Sequence, residues 1–205
     1  MSGELRVYVQ DHVFLVADHD VAIPFDTMDH STGIAGVMES AALVSAGVDR
    51  GYVTVTIEAL EHDAPLDTVD QWAALEDWED VAEFSLFAPH GTLTVGQLEY
   101  PPHDIPELPS LSPHGPGHYR LRIHAAGRDK HFDQVVDAPG ERFHILTWPA
   151  PPAPPLVIKA TSRAGYGLRL AGLSNPPPTT PVAQPSDQQA KAEHEALLRR
   201  NLLSE

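Results

Sequence analysis

The stretch Gly115–Pro155 constrains the fold more than any other part of the chain. It opens on a Gly-Pro-Gly turn, after which Tyr119, Leu121 and Ile123 alternate with His118, Arg120, Arg122 and His124. Side chains of an extended backbone point to opposite faces in turn, so period-two alternation between turn residues marks a strand with one face against a core. A polar loop follows, and Glu141–Trp148 returns as a second strand before a proline-rich wall stops it. This pairing predicts either a closing hairpin or two strands that cross between packed sheets. Arg120 and Arg122 are expected to face outward and to pair across strands with acids such as Glu58.

The rest of the chain reads as more short strands. Leu5–Val9 alternates, and His12–Ala17 is nearly continuous in apolar residues, as in a strand covered on both faces. Their closeness predicts a tight hairpin or one bulged strand. Asp18–Thr32 is a loop. The small residues of Gly33–Ala46 suit an irregular strand pair with AALVSA as its second member, because the glycines disfavour helix. A turn at Gly47–Gly51 leads into Tyr52–Leu60, where β-branched residues alternate. Asp67–Leu75 is a candidate short helix capped by Asp67 or Thr68. Val81–Ala88 and Thr92–Tyr100 flank Pro89-His90-Gly91 and predict a hairpin. Pro101–Gly117 is too rich in proline for a central strand. Leu156–Ala160 is a further strand and Tyr166–Leu170 an edge piece. Some eight or nine short strands with little helix indicate an all-β fold, an antiparallel β-sandwich or partly open barrel. We expect this domain over residues 1–173, a proline-rich linker over 174–187 and a short C-terminal helix over 188–205. Ser186 and Gln189 have the spacing of a capping box at the start of that helix, and Leu197, Leu198 and Leu202 make a thin apolar stripe along it.

Charge is distributed unevenly along the chain. The net formal charge is −16. Residues 1–119 carry 21 acidic side chains against two basic ones, Arg6 and Arg50, a difference of −19; residues 120–205 carry 11 basic and 8 acidic, a difference of +3. No Lys or Arg occurs between Gly51 and Tyr119. Such a field repels nucleic acid and anionic membrane and attracts basic proteins. With no cysteine, disulfides and thiolate metal sites are excluded. The N-terminus lacks the basic and apolar regions of a signal peptide, and no stretch reaches the roughly 18–20 apolar residues of a membrane span. The expected location is the cytoplasm.

Catalytic signals are sparse. There is no Gly-x-Ser-x-Gly elbow, Gly33-x-x-Gly36 lacks the lysine of a phosphate loop, and Ser31, Ser40, Ser45 and Ser85 have no activating context. His103, His114 and His118 lie in or beside the proline-rich loop with Asp104 and Glu107, a set of metal-ligand types at no recognised spacing. The best candidate for a binding surface is Glu61–Glu83. There Asp63, Asp67, Asp70, Glu76, Asp77, Glu79, Asp80 and Glu83 interleave with Trp72 and Trp78. Aromatic anchors amid carboxylates suit a protein partner of opposite charge, since interface energy concentrates in aromatics and charge sets encounter and orientation. The alternative is that both tryptophans pack in the core above a solvated acidic loop.

Three stretches, VYVQDHVFLVADHD, MESAALVSAGVDRGYVTVTIEALE and GHYRLRIH with its return strand RFHILTWP, resemble in order and spacing the bacterial competence protein J family, small cytoplasmic inhibitors of a DNA-entry nuclease. GHYRLRIHAAGRD and LTWPAPP also resemble uncharacterised proteins of high-GC bacteria. The proline-rich insertion at 101–117 and everything after Pro149 depart from the competence protein J pattern. The resemblance implies a β-sandwich and an acidic protein that occupies a basic nuclease groove; it assigns no individual residue. The expectation is therefore a non-catalytic acidic binding protein, an inhibitor or immunity-type factor for a basic protein such as a nuclease, without a cofactor. Two other readings stay open: a metal-dependent enzyme built on the loop histidines, and a structural component of an assembly with the C-terminal helix as connector.

Overall fold

The computed structural model describes residues 3–98 and 110–174. Ten strands form two sheets. One has six strands: β1 (Gly3–Val9), β5 (Gly51–Ala59), β9 (Arg142–Pro149), β8 (Gly117–Ala126), β6 (Asp80–Ala88) and β10 (Leu156–Ala160), in that spatial order. The other has four: β3 (Ala35–Val37), β4 (Ala41–Ser45), β2 (Val13–Ala17) and β7 (Thr94–Gly96). Every neighbouring pair is antiparallel except β5 and β9. The sheets enclose one core made of their inward rows, among them Val53, Val55 and Ile57 of β5, Leu121 and Ile123 of β8, Phe143 and Ile145 of β9, and Phe14 and Val16 of β2. The β-sandwich expected from the alternation is the fold observed.

Two turns carry the chain from the six-stranded sheet to the four-stranded one. Asp11 and His12 both adopt positive φ, 50° and 65°, closing a two-residue turn between β1 and β2. That geometry matches strand twist, and here it forms a corner because β1 and β2 belong to different sheets. At the second corner the structure corrects an expectation. The turn at 89–91 exists, but β7 pairs with β2 rather than with β6. The cause is Asp18, whose buried carboxylate accepts hydrogen bonds from the backbone of His90 and Thr92 and from the Thr92 hydroxyl, drawing the chain across to the four-stranded sheet.

Buried polar groups tie the loops together. Glu141 accepts from the N–H groups of Gly47 (3.0 Å) and Val48 (2.7 Å). Arg128, with no exposed surface, donates to Asp80 (2.8 Å) and to the Gly33 carbonyl (3.0 Å). Asp80 also accepts from the backbone of Thr161 and Ser162 and from the Ser162 hydroxyl. Ser162 caps a helix, α2 (Arg163–Ser174), by accepting from Gly165 N, and Asp129 accepts from the first two helical N–H groups. Tyr166–Leu170 is thus helical, not an edge strand. Ser162 stands directly before the helix, but Asp129 reaches it from a distant loop that no local pattern announces. The expected C-terminal helix and most of the linker lie outside the described residues.

Candidate partner-binding surface

Over β6, β8 and β9 the outer face of the six-stranded sheet is covered, which its alternation cannot reveal. Across β6, β8 and β9 the register sets Glu83 beside Arg122 and Leu146, Ser85 beside Arg120 and Trp148, and Val81 beside His124 and His144. Residues 61–79 and 150–155 lie over this row, so every residue of β8 after His118 is buried. Arg120 and Arg122 are therefore interior rather than outward-facing, and they pair with Glu83 rather than Glu58. Arg120 Nε donates to Glu83 at 3.1 Å, and Arg122 Nε donates to its other oxygen at 2.7 Å. Arg120 also donates to the Ala153 carbonyl and Arg122 to the Ala64 carbonyl, while the Arg122 guanidinium lies 5.5 Å from the Trp148 ring.

More cations fix the covering segment through its backbone. Lys159 Nζ donates to the carbonyls of Leu75 (2.9 Å) and Glu76 (3.1 Å), and Arg142 donates to that of Asp77 (2.7 Å). Arg142 also sits over the Trp78 ring at 4.5 Å. Beneath Trp78 the imidazoles of His124 and His144 stack 5.3 Å apart. Burial pushes His124 down to about 4, against a weaker opposing contribution from its hydrogen bond to the His144 carbonyl. Burial also lowers His144, with Glu58 at 3.7 Å opposing.

Between these anchors lies α1 (Val69–Ala73). Thr68 caps it, and Gln71 completes a capping box by accepting from Thr68 N (2.9 Å). Trp72 donates from its indole to the Leu66 carbonyl yet keeps 51% of its surface exposed, and Val69, one turn earlier, is 83% exposed. Asp63, Asp67, Asp70, Glu76 and Asp77 are exposed, and among the described residues none of their carboxylates makes an ion pair.

The ten residues nominated from sequence thus divide. Asp63, Asp67, Asp70, Trp72, Glu76 and Asp77 share one exposed segment. Trp78 is half-buried and anchors it. Glu79 is half-buried and accepts from the backbone of Gly127 and Arg128. Asp80 and Glu83 are buried in ion pairs with Arg128 and with Arg120 and Arg122, and do not belong to the exposed surface. Neither tryptophan joins the core. Val69 was missed, although its place three residues before Trp72 on a capped helix was the available signal.

Only His114 and His118 of the histidine set fall among the described residues, and there they make other contacts. His103, Asp104 and Glu107 lie outside the described residues, His114 pairs with Glu61 at 3.2 Å, and His118 stands against the Phe87 ring. No group of three or more metal-ligating side chains occurs among the described residues, and no described helix is long and apolar enough to cross a membrane.

No family model matches the chain, and no curated protein does. By architecture the molecule is a two-sheet, mostly antiparallel β-sandwich. Among solved structures it is similar to ComJ of Bacillus subtilis, described as the inhibitor of the DNA degrading activity of NucA, at 14% identity and a TM-score of 0.41, over 73% of this chain and 96% of that one. It is likewise similar to the crocagin biosynthetic gene J protein at 14% identity and a TM-score of 0.42, over 74% of this chain and 99% of that one.

Proposed function

We propose that this is a non-catalytic binding protein of the cytoplasm whose ledge at residues 63–77 engages a basic protein, in the manner of an inhibitor or immunity factor. One observation carries the reading. Five exposed carboxylates, those of Asp63, Asp67, Asp70, Glu76 and Asp77, make no ion pair among the described residues, and they share one segment with the exposed Val69 and Trp72. Apolar anchors ringed by one sign of charge suit a partner that is itself charged and must be bound in one orientation. The sequence resemblance to competence protein J proteins makes a nuclease the partner class to test first.

The experiment is affinity capture from native cytoplasm at low salt on the immobilised full chain, beside a variant carrying D63N, D67N, D70N, E76Q and D77N. A basic protein held by the parent chain and lost by the variant supports the reading; a nuclease among the eluates should lose DNA-hydrolysing activity when the chain is added back. Retention that is equal on both columns overturns it.

A further inference from the structure

The proline run that ends β9 does more than stop a strand. Residues 149–155 read PAPPAPP, five prolines in seven residues, within the charge-free stretch TWPAPPAPPLVI of residues 147–158. Each ring fixes φ at about −65°, and each residue before a proline is pushed into the extended region, here Ala150, Pro151, Ala153 and Pro154. Covalent chemistry thus sets a polyproline II spiral of three residues per turn. At that period Pro149, Pro152 and Pro155 form one row, Pro151 and Pro154 a second, and Ala150 and Ala153 the third. The alanines carry the only N–H groups of the segment, and both are used inside the molecule. Ala150 donates to the His118 carbonyl (3.2 Å) and Ala153 to the Ser85 hydroxyl (3.1 Å), while Arg120 donates to the Ala153 carbonyl (3.0 Å). The spiral is therefore moored to β6 and β8 through its alanines, and all five prolines are exposed. Among the described residues no hydrogen bond is made to the carbonyls of Pro151, Pro152 or Pro154. Leu156 and Val157, 51% and 41% exposed, continue the apolar strip.

We infer that this moored spiral is a docking ridge for a protein whose groove is lined by aromatic side chains. Its chemistry selects that occupant. Flat rings pack against pyrrolidine faces in neighbouring rows, and indole or phenol donors between them reach the open carbonyls, which is how proline-rich spirals are recognised. With no charged side chain between Thr147 and Ile158, an ionic partner finds no counter-charge within the ridge. A free proline-rich peptide must be ordered as it binds. Here β9 and β10 hold the ends and Arg120 the middle, so that ordering is complete in the folded chain. The ridge does not depend on the reading of the ledge at residues 63–77.

The test uses the full chain, with purified SH3 and WW domains as probes, each beside a version whose groove aromatics are replaced by alanine. Calorimetry reads the affinity. The inference predicts that at least one intact domain binds and its alanine version does not, and that P151S with P154S weakens binding by at least about tenfold. It also predicts a change of less than about twofold between about 50 and about 300 mM salt. P152E, which alters an exposed ring alone, carries the test should the double variant fail to fold. The variant with D63N, D67N, D70N, E76Q and D77N should bind these probes as the parent does, which separates the ridge from the ledge. Failure of every intact domain to bind, equal binding by the proline variants, or binding lost with the ledge charges overturns the inference.

Discussion

Replacing Glu83 by Gln removes one negative charge from beneath the covering segment and almost no volume. Both guanidinium groups it serves have side chains less than a tenth exposed, so water cannot take over the lost carboxylate. Deleting one partner of a buried ion pair costs about 3–5 kcal/mol, because the other charge is left uncompensated. Here one carboxylate serves two arginines, which argues for the upper end. Against that, Arg120 keeps the Ala153 carbonyl and Ser85, Arg122 keeps the Ala64 carbonyl, and the glutamine oxygen still accepts. The balance places E83Q at about 3 kcal/mol, a large part of the 5–15 kcal/mol that holds an ordinary domain folded. Urea unfolding followed by circular dichroism reads this directly: with a slope of about 2 kcal/mol per molar, the midpoint falls by about 1.5 M at unchanged slope. The combination E83L, R120M and R122L, which removes all three charges, should recover most of the loss, since apolar replacement of a complete buried network is often nearly neutral. A shift in E83Q below about 0.5 M would refute the claim that the outer face is a sealed ionic layer.

Two further outcomes follow from the same geometry. His124 titrates in the unfolded chain near the usual imidazole value of 6.5 but is pushed down by burial to about 4 in the fold, so the unfolded state binds the extra proton between those values and stability falls as pH drops through that window. The full shift corresponds to roughly 3 kcal/mol, and lowered His144 acts in the same sense. Glu141, raised by burial, acts oppositely, so the difference between the parent chain and His124→Phe isolates the histidine; parallel stability–pH curves would contradict it. Gly47 approaches Arg128 so closely that an added Cβ would stand 1.6 Å from its carbonyl oxygen. Backbone must move, and Gly47→Ala should cost more than about 2 kcal/mol in thermal unfolding, with a loss under about 0.5 kcal/mol contradicting the contact.

What could be read from sequence was the periodic part. The alternation in Tyr119–His124 and Tyr52–Leu60 gave both the strands and their inward rows correctly, and of the two caps open for α1, Asp67 and Thr68, the structure uses Thr68. Whether an outward row meets water was not legible, because that depends on a segment some forty to sixty positions earlier in the chain closing over it; hence Arg120 and Arg122 were placed on the surface. The corner at 89–91 looked like a hairpin because Asp18, which redirects it, stands 72 residues earlier in the chain than His90. In α2, Gly165 and Gly167 lower helix propensity, and the helix is fixed instead by Ser162 and by Asp129 from another loop. On the ledge the acids were visible in sequence. Their division into exposed Asp63–Asp77 and buried Asp80 and Glu83 follows the point where the chain enters β6.

The central claim is that the exposed carboxylates of residues 63–77 steer a cationic partner to Val69 and Trp72. Stopped-flow association of the full chain with its captured basic partner, between 20 and about 300 mM salt, tests it most directly, since exposed charges are screened over about 8–10 Å in the physiological range. The account predicts an on-rate that falls steeply with salt in the parent chain, and one that is slow and nearly flat in the variant carrying D63N, D67N, D70N, E76Q and D77N. Identical rates and identical salt slopes in the two proteins would contradict it.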